Sequence, residues 1–479
     1  MIFLFRSFLC NRHHRAHARR WTSLLGVLLL IAIRPLAGQT EAPSELQPSV
    51  ETAIAQPTDV QGQSGYTGPA VLSRSSQPGI GQGAKIAVQP FLYLNQVYDT
   101  GATAWSGNAA GSSGSVGEQI GFGLRGTHQW KRITLNIEYE GNWSHYSQLT
   151  AYNGTNQFLR VTAVTPLRRH LSLAVSQTVG TVIQDLGSLL VQPAAPGMSS
   201  PLPANEPFDN RARFLQSQGT VTYQKSRRLS FTATMDGSVV RRESAPLVGT
   251  NVFSIGGDVG YLLTRHATVG LDYNITQFGY TTFGSAHLHT VSGNFSWRLR
   301  KTVELGLRLG ISRGDVFGLV GVPLDPYIAA LLGSATGVQT SYQVFSTPAV
   351  RCHVTKHWHR ASADIGYQRG ISPGNGLVLT SNTESIDAGL QYSYSRGWGL
   401  SIQGGWTSMQ ALTGLAATSY TGYLAGVSVT RSIRPSMQMV ARFDARPFSY
   451  VGPAIPARNF YRASIGFMFT PRELPVVLK

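Results

Sequence analysis

Charge is scarce in this chain. Of 479 residues only 13% are Asp, Glu, Lys or Arg, against the ~25% usual in a soluble globular protein. Cysteine is scarcer, with two in all. Cys10 falls in a basic leader, so Cys352 stands alone after it and no internal disulfide is expected. A secreted domain held together by covalent staples is thereby excluded. Long apolar runs are missing too. None reaches the roughly 18–20 residues of a spanning helix, and mean hydropathy is −0.05, far below that of a helical membrane protein. A phosphate-cradling GxxxxGK[ST] loop is absent, as is any nucleic-acid module. No nucleophile motif stands out. We therefore expect neither an enzyme nor a cofactor, and no nucleic-acid partner.

What the chain does have is a leader, glycine and a strict alternation. Residues 1–22 hold Arg6, Arg12, Arg15, Arg19 and Arg20 and no acid, and SLLGVLLLIAI follows at 23–33. Arg34 and Pro35 cut the apolar run short, and Leu36-Ala37-Gly38 offers small residues for cleavage. Residues 1–38 read as a secretory signal. Residues 39–84 are rich in Gln, Pro, Ser and Gly without periodicity. Such a stretch buries too little apolar surface to offset chain entropy, so it reads as a disordered linker.

From 85 to 470 almost every segment alternates. Val303, Leu305, Leu307, Leu309 and Ile311 share one face, and Glu304, Gly306, Arg308, Gly310 and Ser312 the other. Such period-two faces are opposite sides of one sheet. The runs are mostly 11–15 residues by our count, whereas soluble strands average five or six and a tilted spanning strand needs about 9–11. Short basic turns join them in pairs: HQWKR at 128–132, PLRRH at 166–170, KSRR at 225–228, LTRH at 263–266, RK at 300–301, TKHWHR at 355–360, SRGW at 395–398 and RSIRP at 431–435. The opposite ends carry longer loops of Gly, Ser, Pro and Asn. Aromatic residues gather at run ends, among them Trp130, Trp143, Trp297, Trp358, Trp398 and Tyr450, as interfacial girdles require.

Short turns at one end and long loops at the other, with apolar alternation outward, resemble the bacterial outer-membrane β-barrels of the porin-like channel superfamily. The count is about 18 antiparallel up-and-down strands. Sixteen is the alternative, because the first run and 383–395 are weakly patterned. The final run resembles the C-terminal assembly signal of such barrels: Tyr461, Ala463, Ile465, Phe467 and Phe469 alternate and end on an aromatic. It departs from that pattern at Ser464, where glycine is usual, and in the tail at 471–479. The resemblance implies an outer-membrane lipid environment, an encounter with the assembly machinery, and both mature ends in the periplasm. It implies passive passage of hydrophilic solutes, or of a secreted polysaccharide. The other reading is a docking barrel or the port of an export complex. A second copy of the chain or export-complex proteins are further candidate partners.

The formal charge of +17 suggests an anion pore until it is apportioned. Six arginines lie in 1–38, leaving +11, and the eight turns hold 15 Lys or Arg without an acid. The turns thus absorb the whole surplus. Candidate lumen-lining residues are mixed in sign: Arg125, Glu138, Arg160, Asp258, Asp272, Arg298, Glu304, Arg308, Arg351, Asp364, Asp387, Arg442, Asp444 and Arg462. They read as a salt-bridged wall or as a selectivity lining. Two long loops, 181–209 and 314–338, are candidates for folding into the lumen, the second with a short helix after Asp325-Pro326. His353, His357 and His359 lie close together with no carboxylate nearby in sequence, and we expect no metal site there.

Overall fold

Alternation becomes a closed wall. The computed structural model describes residues 85–100, 114–130, 133–148, 153–183, 211–243, 247–300, 302–333, 335–395, 397–412, 419–451, 458–471 and 474–477. The expected signal and linker, and most of the 181–209 loop, lie outside them. The first strands are β1 Lys85–Asp99, β2 Ser115–Gln129, β3 Thr134–Tyr146, β4 Gly154–Arg168, β5 Leu171–Ile183 and β6 Arg211–Gln224. Next come β7 Leu229–Arg242, β8 Thr250–Thr264, β9 Ala267–Tyr280, β10 Ser285–Arg300 and β11 Val303–Pro323. After helix α1 (Pro326–Leu332) follow β12 Thr336–His357, β13 Ala361–Ser372, β14 Ser381–Ser395 and β15 Trp398–Ala411. The wall ends with β16 Ser419–Arg434, β17 Met437–Val451 and β18 Arg458–Phe469.

Each strand pairs antiparallel with its sequence neighbours, and β18 returns to β1, from Leu92↔Phe469 to Asp99↔Arg462. The fold is a closed antiparallel barrel of eighteen strands. Both weakly patterned runs are in the ring as β1 and β14, so the sixteen-strand alternative falls. The eight basic turns all lie at one end, because every second connection in a meander does. In the tail, Pro471 cannot donate to the ladder. The chain resumes as a short strand, β19 (Leu474–Val477), paired with Lys85–Val88.

Register fixes the faces. Glu138 stands opposite both Arg125 and Arg160, and the same inward set continues strand by strand around the ring. The outward set is apolar: Leu94, Leu309, Ile311 and Ile465 are each half exposed or more. Among the described residues the buried apolar side chains form separate clusters rather than one core. Where β2 would crowd the lumen it uses glycine. Tyr93 lies flat over Gly121, where a Cβ would run into the ring, and Phe91 covers Gly123 in the same way.

One sequence expectation needs correction. The 314–338 loop is much shorter, because β11 and β12 run 21 and 22 residues and pair to Pro323↔Thr336. Gly314, Gly318 and Gly321 had the composition of a loop, yet the backbone ladder continues through them. Only 324–335 connects the strands. It holds the expected helix: Asp325 caps α1, its carboxylate accepting from the Tyr327 amide at 2.9 Å, and Pro326 begins it. Beyond Phe317 the hairpin has lost β10 as a neighbour, and β12 pairs with β13 only from Val350 downward. Tyr327, Leu331 and Tyr342 stand exposed on it, so it does not fold across the lumen.

Candidate functional site: a charge-balanced lumen and the loop across its mouth

The register puts every candidate lining residue on the inward face. Most of them meet a partner there. Arg125 Nε donates to Glu138 Oε1 at 2.9 Å, and Arg160 reaches Thr178 at 3.3 Å. Near the turn end Arg298 pairs with Glu304 at 2.9 Å.

Two networks sit on opposite arcs. On β8–β11, Arg308 lies 3.6 Å from Asp272 and donates to Asn294 at 2.7 Å. Asn294 in turn donates to Asp258 at 2.8 Å. On β17, β18 and β1, Arg442 grips Asp444 through two hydrogen bonds of 2.5 and 2.7 Å. These residues are two apart on one strand and therefore share a face. Arg462 is almost fully buried, 3.8 Å from Asp99, and donates to the Tyr146 hydroxyl. A bidentate guanidinium–carboxylate pair fixes both side chains against the wall. Arg351 reaches Gln368 at 3.3 Å. Asp364 and Asp387 face inward on β13 and β14, and Gly366 makes room for the Asp387 carboxylate. His353 lies across Gly306. Among the described residues no group of His, Cys, Asp or Glu is placed to hold a metal ion.

Away from the turns, the inward face also carries Asp99, Glu140, Asp236, Arg242 and Arg446. Arg458 takes the same face by register, and with the candidates above that makes ten arginines against ten acids on the described wall. The lining has no surplus of either sign.

The loop that matters most was not foreseen. Residues 373–380, between β13 and β14, turn into the barrel and are buried almost throughout. Two glycines allow it. Gly374 and Gly376 have φ of 80° and 91°, and a Cβ on Gly374 would collide with the Val378 carbonyl. Asn375 then closes a turn, its side-chain oxygen accepting from the amides of Leu377 and Val378 at 3.2 and 3.1 Å.

The loop's contacts span the ring. Asn375 donates to the Tyr450 hydroxyl on β17 at 3.2 Å. The Tyr280 hydroxyl on β9 donates to the Pro373 carbonyl at 3.2 Å and lies 2.5 Å from Thr380 Oγ1. The Val248 amide, between β7 and β8, donates to the Gly376 carbonyl at 3.0 Å. Leu377 and Val378 pack into an apolar cluster with Leu247, Met409, Tyr420, Phe448, Tyr450 and Phe460. The β8 and β16 arcs that the loop joins are eight positions apart in a ring of eighteen, close to a diameter. The loop therefore crosses the lumen at the end opposite the basic turns. Its one signal in the sequence was an apolar Leu-Val-Leu following Pro-Gly-Asn-Gly, where a solvent loop would be polar.

No family model matches the chain, and no curated protein matches it. Among solved structures it is similar to OccK5 (OpdH) of Pseudomonas aeruginosa, at 13% identity over 80% of this chain and 98% of that one, with a TM-score of 0.41. OpdQ of the same organism is 12% identical over 82% and 99%, with a TM-score of 0.41. OccAB3 of Acinetobacter baumannii is 9% identical over 81% and 99%, again with a TM-score of 0.41. Likenesses this distant transfer no residue role and no substrate to this chain.

Proposed function

We propose that the protein is an outer-membrane channel that passes small hydrophilic solutes by diffusion. The carrying observation is the division of faces around a closed ring: apolar side chains outward, paired acids and arginines inward. On β11 the outward apolar run Val303–Ile311 is nine residues long, which at a porin's tilt matches the ~25 Å apolar band of such barrels. Cations and rings flank its lower edge: Lys356 lies 4.8 Å from the Trp358 ring centre and Arg431 lies 5.0 Å from that of Trp398. Basic turns at that edge suit anionic headgroups, and by the usual orientation of bacterial barrels they and both chain ends face the periplasm. A wall of 16–18 strands leaves a water-filled lumen.

The balanced lining supports weak ion preference, since rings of uncompensated charge are what set selectivity. Single channels under a tenfold KCl gradient should reverse near zero potential. A reversal close to the chloride equilibrium potential would sink that reading. The loop across the mouth favours small solutes over a secreted polymer, and no contact among the described residues favours an export port.

A further inference from the structure

We infer that the outer face of β10–β12, at the upper edge of the apolar band, binds the phosphorylated headgroup of an outer-leaflet glycolipid. This rests on the membrane placement proposed above. Most outward cations at that height lie on one arc. After five or six outward positions counted from the turns, Arg213, Arg241, His289 and Arg313 end the apolar runs of β6, β7, β10 and β11, and His287 follows His289. The other arc carries Glu118 on β2 and Glu384 on β14. Its outward arginine at that height, Arg369 on β13, stands directly opposite Glu384.

Between β10 and β12 the cationic strip becomes concave. A groove of about 290 Å³ is lined by His289, Arg313, Asp315, Tyr342 and Val344. Arg313 is exposed and makes no ion pair or hydrogen bond with another described residue, Asp315 included. His289 is held by the Tyr273 hydroxyl, 2.8 Å from Nδ1, which leaves Nε2 to face a ligand. Arg213 is less available, since it pairs with Glu243 at 2.7 Å. A guanidinium and an imidazole at one groove make a phosphate site. Tyr342 offers a flat wall to a sugar ring, while Ile311 and Val291 just below take acyl chains. Charge complementarity and depth together select a phosphorylated, acylated sugar rather than a soluble anion.

The test is native mass spectrometry of the full chain in neutral maltoside detergent, with an acylated glucosamine disaccharide as probe, in its bis-phosphorylated and dephosphorylated forms. The phosphorylated form should be retained at least about tenfold better, the scale of one lost charge-assisted hydrogen bond. The double variant His289→Gln/Arg313→Gln should lose that preference while its bilayer conductance stays unchanged. Equal retention of the two lipids, or full retention by the variant, overturns the inference and leaves the channel standing. A variant that instead loses self-association on cross-linking makes the groove a contact between copies, which also overturns it. Failure of the unaltered protein to insert into bilayers would count against the membrane reading beneath.

Discussion

Replacing Leu377 and Val378 together by serine is expected to raise single-channel conductance severalfold. Both side chains are buried in the cluster that ties residues 373–380 to β15–β18. Burying a Leu or Val side chain contributes about 1.5–3 kcal/mol, so two such losses are comparable to all that the loop's hydrogen bonds to the wall supply at ~1 kcal/mol each. The loop keeps its length, yet it no longer has an apolar seat on the far wall. The ladder of the barrel does not depend on it, since β13 and β14 pair from Ser372↔Ser381 down to Ala361↔Tyr392 without the loop. Folding, read by heat-modifiable migration on gels, should therefore survive. Unchanged conductance in planar bilayers, with the barrel intact, would show that the loop does not narrow the path.

The second large effect concerns the outer face. Leu307→Arg puts a guanidinium at the middle of the outward apolar run Val303–Ile311 of β11. Such a substitution at the bilayer midplane costs about 2–4 kcal/mol. Thr220→Arg, on the inward face of β6, should cost far less, because its charge would enter a wet lumen. Urea unfolding from lipid vesicles separates the two. A larger cost for Thr220→Arg would mean that the faces are assigned the wrong way round, and equal costs that neither face meets lipid.

The fold was legible in the sequence for one physical reason. A wall one strand thick has only two environments, and they alternate, so each residue reports its face directly. Glu304, Arg308 and Ser312 against Leu305, Leu307 and Leu309 needed no tertiary context. The basic turns then gave the parity. Where legibility ended, the determinant was not periodic. The 314–338 segment carried enough glycine to pass for a loop, although strand pairing continued through Gly314, Gly318 and Gly321. The inward loop depends on two positive-φ glycines, an Asn-capped turn and an apolar seat assembled from β15, β16, β17 and β18. None of those seat residues is near it in sequence except through the wall. Likewise Asp99 and Arg462 lie 363 positions apart and meet only because β18 closes on β1. The balance of the lumen was legible as a list of signs. Which residues pair, and that ten arginines face ten acids, required the register.

Adjacent residues on one strand test the central claim most directly. Cys352 is on the outward face of β12 and His353 on the inward face, across Gly306. Both sit partway up the wall, so only the face distinguishes them. In protein carrying Cys10→Ser and reconstituted in vesicles, the native Cys352 should resist a charged, water-soluble maleimide and react with an apolar one. With Cys352→Ala added, His353→Cys should react readily with the charged reagent. That inversion across a single residue is what a lipid-facing and a water-facing side of one wall predict. Equal labelling of the two positions by the charged reagent would contradict the account.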